Sequence, residues 1–203
     1  MLKRAALGFR AHSGWAALVA VTGSAAAPVV ILRQRVEIAD SRMDGSKQPF
    51  HAAEPMPVKD AEVHIQRCAD STRALAVTAV RDAVAKLTEM RLGVAGSCVL
   101  LSSGRPTGDL AKTLSSHALI HTAEGEFFRN ALKLACENCG VAVLGVKEKE
   151  LVNQAAAALR LPAAEIERRA AALGKGIGPP WTQDQKLSAI AAWLVLAGGG
   201  QPR

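Results

Sequence analysis

The sequence contains no tyrosine, and aromatic residues make up only 3% of its 203 positions. That scarcity argues against single-strand binders, which stack bases on exposed aromatic platforms. The four cysteines, Cys68, Cys98, Cys136 and Cys139, are too few and too apolar in setting for a disulfide framework. A reducing compartment, and with it a cytoplasmic location, is expected. No run of about eighteen uninterrupted apolar residues offers a membrane span, so no membrane partner is expected. Acid is in deficit: 18 Asp and Glu stand against 25 Lys and Arg, a formal charge of +7. That balance permits nucleic acid as a partner without selecting it. What the chain has in quantity is apolar residues, 49% of the total, which is too many for disorder at a length suited to one good-sized domain.

The N-terminus carries an ambiguity. Lys3, Arg4 and Arg10 precede the apolar stretch 15–21 and the small residues Ser24, Ala25, Ala26 and Ala27, which together imitate a secretory signal and its cleavage site. The apolar stretch is short, Arg10 and His12 intrude late, and the strand pattern continues beyond it. The strand reading is therefore preferred.

Three strands are expected over 4–11, 15–22 and 28–38, turning tightly at His12-Ser13-Gly14 and at Gly23-Ser24. Such short turns join antiparallel strands only, giving a meander. On the third strand Val29, Ile31, Arg33, Arg35 and Glu37 fall on one face, and Val30, Leu32, Gln34, Val36 and Ile38 on the other. Residues 40–62, rich in Asp, Ser, Gly, Lys and Pro, read as a long loop. Helical spacing of Leu75, Ala79, Ala83, Leu87 and Met90 marks a helix over 70–92. A buried strand over 96–101, a turn over 102–108, one long helix over 110–138 and a strand over 141–146 follow. Three further helices, over 148–159, 163–173 and 182–196, complete a single domain of residues 1–197, with 198–203 as a disordered tail. The fold class is α/β: a mixed five-stranded sheet, made of a three-stranded antiparallel meander and two strand-helix units, with helices on both faces.

This order is that of the ribonuclease H-like fold, and three segments resemble its RuvC-type resolvase branch. The stretch Leu7-Gly8-Phe9-Arg10-Ala11-His12-Ser13-Gly14 is similar to the opening hairpin, in which a strand carries a catalytic aspartate just before a glycine-containing turn. Phe127 to Ala135, followed by Cys139-Gly140-Val141, resembles the helix that runs into the fifth strand. Pro180-Trp181-Thr182-Gln183-Asp184 resembles the start of the closing helix, which carries the last metal-binding acid. The resemblance implies magnesium-dependent phosphodiester cleavage, yet it places Arg10 where the first aspartate is expected, and Ser102 and Ser103 where a glutamate is expected. Magnesium takes oxygen ligands, and an arginine at the central position repels it. Of the implied acids only Asp184 has a counterpart, and it is placed to pair with Arg10 or His12.

Other constellations carry chemistry of their own. Along the helix 110–138, Leu110, Leu114, His117, His121, Glu124, Phe128, Ala131 and Ala135 repeat at steps of four and three and share one stripe. Two imidazoles and a carboxylate in an apolar seam suit a first-row metal, so a divalent metal is a possible cofactor, or a general acid-base pair with Glu126 nearby. A hydrogen-bonded helix face is the plain alternative. Gly125 in that helix points to a close approach by backbone or ligand. Ser102, Ser103 and Arg105 follow a strand and precede a helix, where open α/β sheets bind ligands and where backbone amides favour an anion. Cys136-Glu137-Asn138-Cys139 lies at a helix C-terminus, the wrong end for a lowered thiol pKa, and reads as core packing. The sequence thus supports a degenerate, non-nuclease binding or scaffolding module, with nucleic acid as a candidate partner. The alternative is a hydrolase acting through His117, His121, Glu124 and Glu126. A homodimer is a further possibility.

Overall fold

The computed structural model describes residues 3–104 and 108–198. β1 (Lys3–His12) and β2 (Trp15–Gly23) form a hairpin whose register runs from Ala5 opposite Thr22 to His12 opposite Trp15. Two residues turn it, and Gly14 takes φ +81°, a region that side chains disfavour. β3 (Pro28–Glu37) pairs antiparallel with β2, and β4 (Leu92–Leu101) and β5 (Val143–Lys147) continue in parallel from β1. The sheet order β3-β2-β1-β4-β5 is the expected mixed five-stranded sheet. The segment that imitates a signal forms β2, whose residues 16–21 are fully buried.

Alternation along β1 divides the core. Ala5, Leu7 and Phe9 face α2 (Val58–Glu89) and α4 (His117–Asn138), meeting Val80, Leu87, Phe128 and Leu132. Ala6 turns to the opposite face, against Ala189 and Ala192 of α7 (Gln183–Leu196). Cys98 and Leu100 of β4 share that second face with α5 (Leu151–Leu159), α6 (Ala163–Leu173) and α7. Gly8 also looks towards α7, so closely that a Cβ there would overlap the Ser188 carbonyl oxygen. Strand and helix can approach to this distance only through a residue without a side chain.

The structure departs from the sequence reading in four places. Strict alternation fails on β3: the register slips between Ala20 and Val21, Ile31 bulges, and Val30 lies in the α7-facing core while Val36 lies in the α2/α4 core. A bulge inserts one residue and exchanges the faces beyond it. The region 40–62 is only partly loop. It holds a short helix, α1 (Pro49–Ala53), with proline at its start, and the first turn of α2, which begins twelve residues earlier than its apolar periodicity suggested because its N-terminal turns are mostly exposed. The helix over 110–138 is broken into α3 (Leu110–Leu114) and α4 at Ser115-Ser116, where Ser116 is extended at φ −141°, ψ 113°. Ser115 turns its hydroxyl back to the Lys112 carbonyl at 2.9 Å, the local bonding by which serine competes with a helix. Finally, the space left by Gly125 is taken by the guanidinium of Arg129, a side chain of its own helix, and Gly125 lines the cleft described below. The expected tail lies almost wholly outside the described residues, as does Arg105 of the proposed anion loop. Among the described residues no helix is long and apolar enough to cross a membrane.

Candidate functional site at the carboxyl ends of the central strands

β1, β4 and β5 run in parallel, so their carboxyl ends gather at one edge of the molecule. Arg10 and His12 come from the end of β1, Ser102 follows β4, and Glu148 opens the 3₁₀ turn Glu148–Glu150 after β5. Alternation places Arg10 on the same side of β1 as Gly8. Because Gly8 fixes α7 through Ser188, Asp184, one helical turn earlier, comes to Arg10.

Arg10 is the centre of a charge cluster. Its Nε and Nη2 donate to the two oxygens of Glu148, each at 2.9 Å, a bidentate fork, and its Nη1 donates to Asp184 Oδ1. His12 Nε2 lies 2.9 Å from the same Asp184 oxygen, so this ring nitrogen must carry a proton to donate. Partial burial pushes the Asp184 carboxyl up, and the hydrogen bonds from Arg10 and His12 outweigh it, holding the group below its ordinary value. The His12 ring stacks on Trp15 with centroids 4.2 Å apart, which fixes its orientation.

The second group lies on α4 and α1. Glu124 is buried, with 4% of its surface exposed, and desolvation raises its carboxyl above the ordinary value against several opposing hydrogen bonds. Its Oε1 accepts from the Phe50 and His51 backbone N–H groups at 2.9 and 3.0 Å and meets His51 Nδ1 at 3.1 Å. His117 and His121 remain exposed two turns and one turn before it, their Nε2 atoms 2.9 Å apart. Glu124 therefore does not join them as a third ligand from the same stripe. The stripe dips under α1 at Glu124, and α1 supplies His51 in its place. The three imidazoles stand together, with one nitrogen of each within 4.8 Å of the others.

Ser102 donates to Glu126 Oε1 at 2.7 Å, and Arg129 lies 3.7 Å from the same oxygen. Ser103 is exposed and lines an adjoining groove with Ser102, Arg129 and Glu148. A cleft of about 270 Å³ joins the groups: Arg10, His12, His51, His121, Arg129 and Glu148 all line it. A larger apolar hollow of about 460 Å³ lies between α2 and α4, lined by Phe50, Ile65, Phe127 and Leu134. The cysteines take no part. All are free thiols, and burial pushes Cys98 up to about 12 and Cys136 up to about 11, far from thiolate chemistry.

His51, Glu148 and Arg129 escape the sequence reading. His51 falls in a stretch whose prolines and glycine suggest a loop, although Pro49 followed by Phe-His-Ala-Ala is the signature of a short helix start. Glu148 follows directly on a buried parallel strand, the position in which open sheets place ligand-handling groups, and that signal was there to be used.

The architecture recurs in known structures. The structure of Thermus thermophilus RuvC matches over 98% of this chain and 99% of that one, with a TM-score of 0.51 and 14% identity. The fold is ribonuclease H-like, of the RuvC type. Thermus thermophilus RuvC in complex with Holliday junction substrate matches over 94% of this chain and 91% of that one, with a TM-score of 0.48 and 15% identity. No protein-family model and no curated protein matches the sequence. On this RuvC-type frame, the position at which the resemblance expects an aspartate holds Arg10, and Ser102 stands just beyond the end of β4 where a glutamate is expected. Two nearby acids, Asp184 and Glu148, are bound to the arginine.

Proposed function

We propose that this chain is a RuvC-type module that holds an anionic ligand, of nucleic-acid backbone chemistry, at the carboxyl end of its sheet without cleaving it. The observation that carries the reading is the Arg10 cluster. Two-metal phosphodiester cleavage needs carboxylates free to coordinate magnesium, and here Asp184 and Glu148 are engaged by a guanidinium that would itself repel the metal. The cleft presents Arg10, Arg129, His12, His51 and His121 beside Glu124 and Glu148, donors able to meet phosphate oxygens, and the formal charge of +7 favours a polyanion. Four free thiols suit the reducing cytoplasm, where we place the protein.

The test is incubation of the full chain with labelled branched and linear DNA in magnesium or manganese, alongside binding measured across a salt series. The expected result is retention that weakens steeply with salt and leaves the DNA intact. Metal-dependent cleavage that disappears in Asp184→Asn overturns the non-nuclease reading, and absence of binding at low salt overturns the nucleic-acid reading. A second reading, hydrolysis of a phosphate-bearing or other small substrate, is favoured by the gathering of His51, His117 and His121 beside the same cleft. Turnover of phosphate-ester probes that falls in His121→Ala supports it.

A further inference from the structure

We propose that His51, His117 and His121 form a three-histidine site for zinc, with Glu124 as the buried carboxylate that orients the first ligand. It goes beyond the binding role of the cleft and does not depend on it.

Spacing and reach come first. His117 and His121 are four residues apart on α4, the spacing that puts two imidazoles on one helical face. Their Nε2 atoms already lie 2.9 Å apart, and a nitrogen of His51 falls within 4.8 Å of both. Zinc–nitrogen bonds of about 2.0–2.1 Å in a tetrahedron need nitrogens roughly 3.3 Å apart. Small rotations of two exposed rings close the difference, since neither ring of α4 is locked by packing.

The tautomer comes next. His51 Nδ1 meets Glu124 Oε1 at 3.1 Å, and a carboxylate there requires Nδ1 to carry the proton. That leaves Nε2 as the nitrogen with a free lone pair. A histidine ligand whose other nitrogen donates to a buried carboxylate is the usual outer arrangement of zinc sites, and it fixes ring orientation and raises basicity. The same Glu124 oxygen accepts the His51 and Phe50 backbone N–H groups, so α1 and the His51 ring are held by a single carboxylate. Glu124 Oε2 is buried with no hydrogen-bond partner among the described residues.

The chemistry of the donors selects the ion. Three neutral imidazoles suit zinc and other first-row metals and reject magnesium, which takes oxygen ligands. Three protein ligands leave a fourth position, for water or an anionic oxygen, next to the cleft that His51 and His121 line with Arg10 and Arg129.

The experiment is zinc titration of chelator-stripped full chain by calorimetry and equilibrium dialysis, repeated with cobalt(II) for its visible ligand-field bands. One zinc per chain, unaffected by millimolar magnesium, is expected. His121→Ala abolishes stoichiometric binding and the cobalt bands, and Glu124→Gln weakens zinc by roughly 10–100-fold. His64→Ala, at a histidine beside Cys68 and outside the cluster, leaves binding unchanged. Circular dichroism of each variant confirms folding, and His117→Ala serves in place of His121→Ala if that variant fails to fold. Absence of stoichiometric zinc in the native chain overturns the proposal, as does zinc that survives loss of His121 or that magnesium displaces. DNA binding is read separately, so failure of the binding module and failure of the metal site are distinguishable.

Discussion

Replacing Arg10 by methionine keeps an unbranched stem of similar reach and removes only the guanidinium, so the change leaves the packing on β1 intact and isolates the charge. Two acids then face each other without their shared cation. A hydrogen bond to a charged partner is worth about 1.5–3 kcal/mol when sheltered. Asp184 and Arg10 are sheltered, at 21% and 24% side-chain exposure, so that contact keeps about 1.5–2 kcal/mol. Glu148 is 41% exposed, and solvent screening reduces its bidentate contact to about 0.5–1 kcal/mol. The sum is a loss of about 2–3 kcal/mol, or about 4–12 °C in melting temperature for a chain near 200 residues. Urea unfolding is the assay, because guanidinium chloride screens the charges under test. The loss also carries a pH signature. Asp184 is held below its ordinary value, so its stabilisation is present above that value and vanishes as pH falls through the native value. The gap between native chain and variant is therefore widest at neutral pH and narrows as the pH falls below the ordinary carboxylate range. A loss below about 0.5 kcal/mol, or a gap that does not narrow in acid, refutes the assignment of Arg10 as the ion-paired centre of the site.

Gly8→Ala drives a Cβ into the Ser188 carbonyl oxygen and to 2.8 Å from the Ala192 nitrogen, both backbone atoms that no rotamer relieves. A destabilisation at or above the usual overpacking range of about 1–3 kcal/mol is expected in urea, and a smaller one means that α7 sits further from β1 than described. Glu124→Gln keeps an acceptor oxygen for the α1 amides and removes the ionisation. Because burial raises Glu124, the native chain loses stability as pH climbs from the ordinary carboxylate value through the raised one, and the variant lacks that slope. Urea midpoints measured across the mildly acidic to neutral range check it, and parallel curves for the two proteins contradict it.

How much was legible depends on how far each signal reaches along the chain. The meander and the two strand-helix units follow from alternation and helical period, which are local and repeated, whereas the pairing of Asp184 with Arg10 or His12 is what the resemblance to the RuvC-type fold implies. His117 and His121 were found by the same period. Their partner was misidentified, because the stripe through Glu124 tells which residues share a face and not where a neighbouring segment crosses it. His51 reaches the cluster from 66 residues before His117, on a helix of five residues too short to show a period. The Ile31 bulge and the break at Ser115-Ser116 were invisible for a related reason: each is a departure of one or two residues inside a pattern that otherwise continues.

The two halves of the site have different tolerance for change, and that difference follows from the elements that carry them. Positions 10 and 184 are coupled through Gly8, because the approach of β1 to Ser188 sets the first turn of α7 against the end of the strand. Arg10 faces Asp184 across this approach, and with Glu148 the strand end is held as an ion-paired cluster. The histidines are not coupled in this way. His117 and His121 project from the exposed first turns of α4, and His51 is carried by α1, which is anchored to α4 by Glu124. Movement of α1 alters the distance from His51 to the other two without disturbing the sheet. The frame that fixes Arg10 therefore leaves the exposed rings of His117 and His121 free to adjust around a ligand, and the cleft joins a rigid ion-paired wall to an adaptable one.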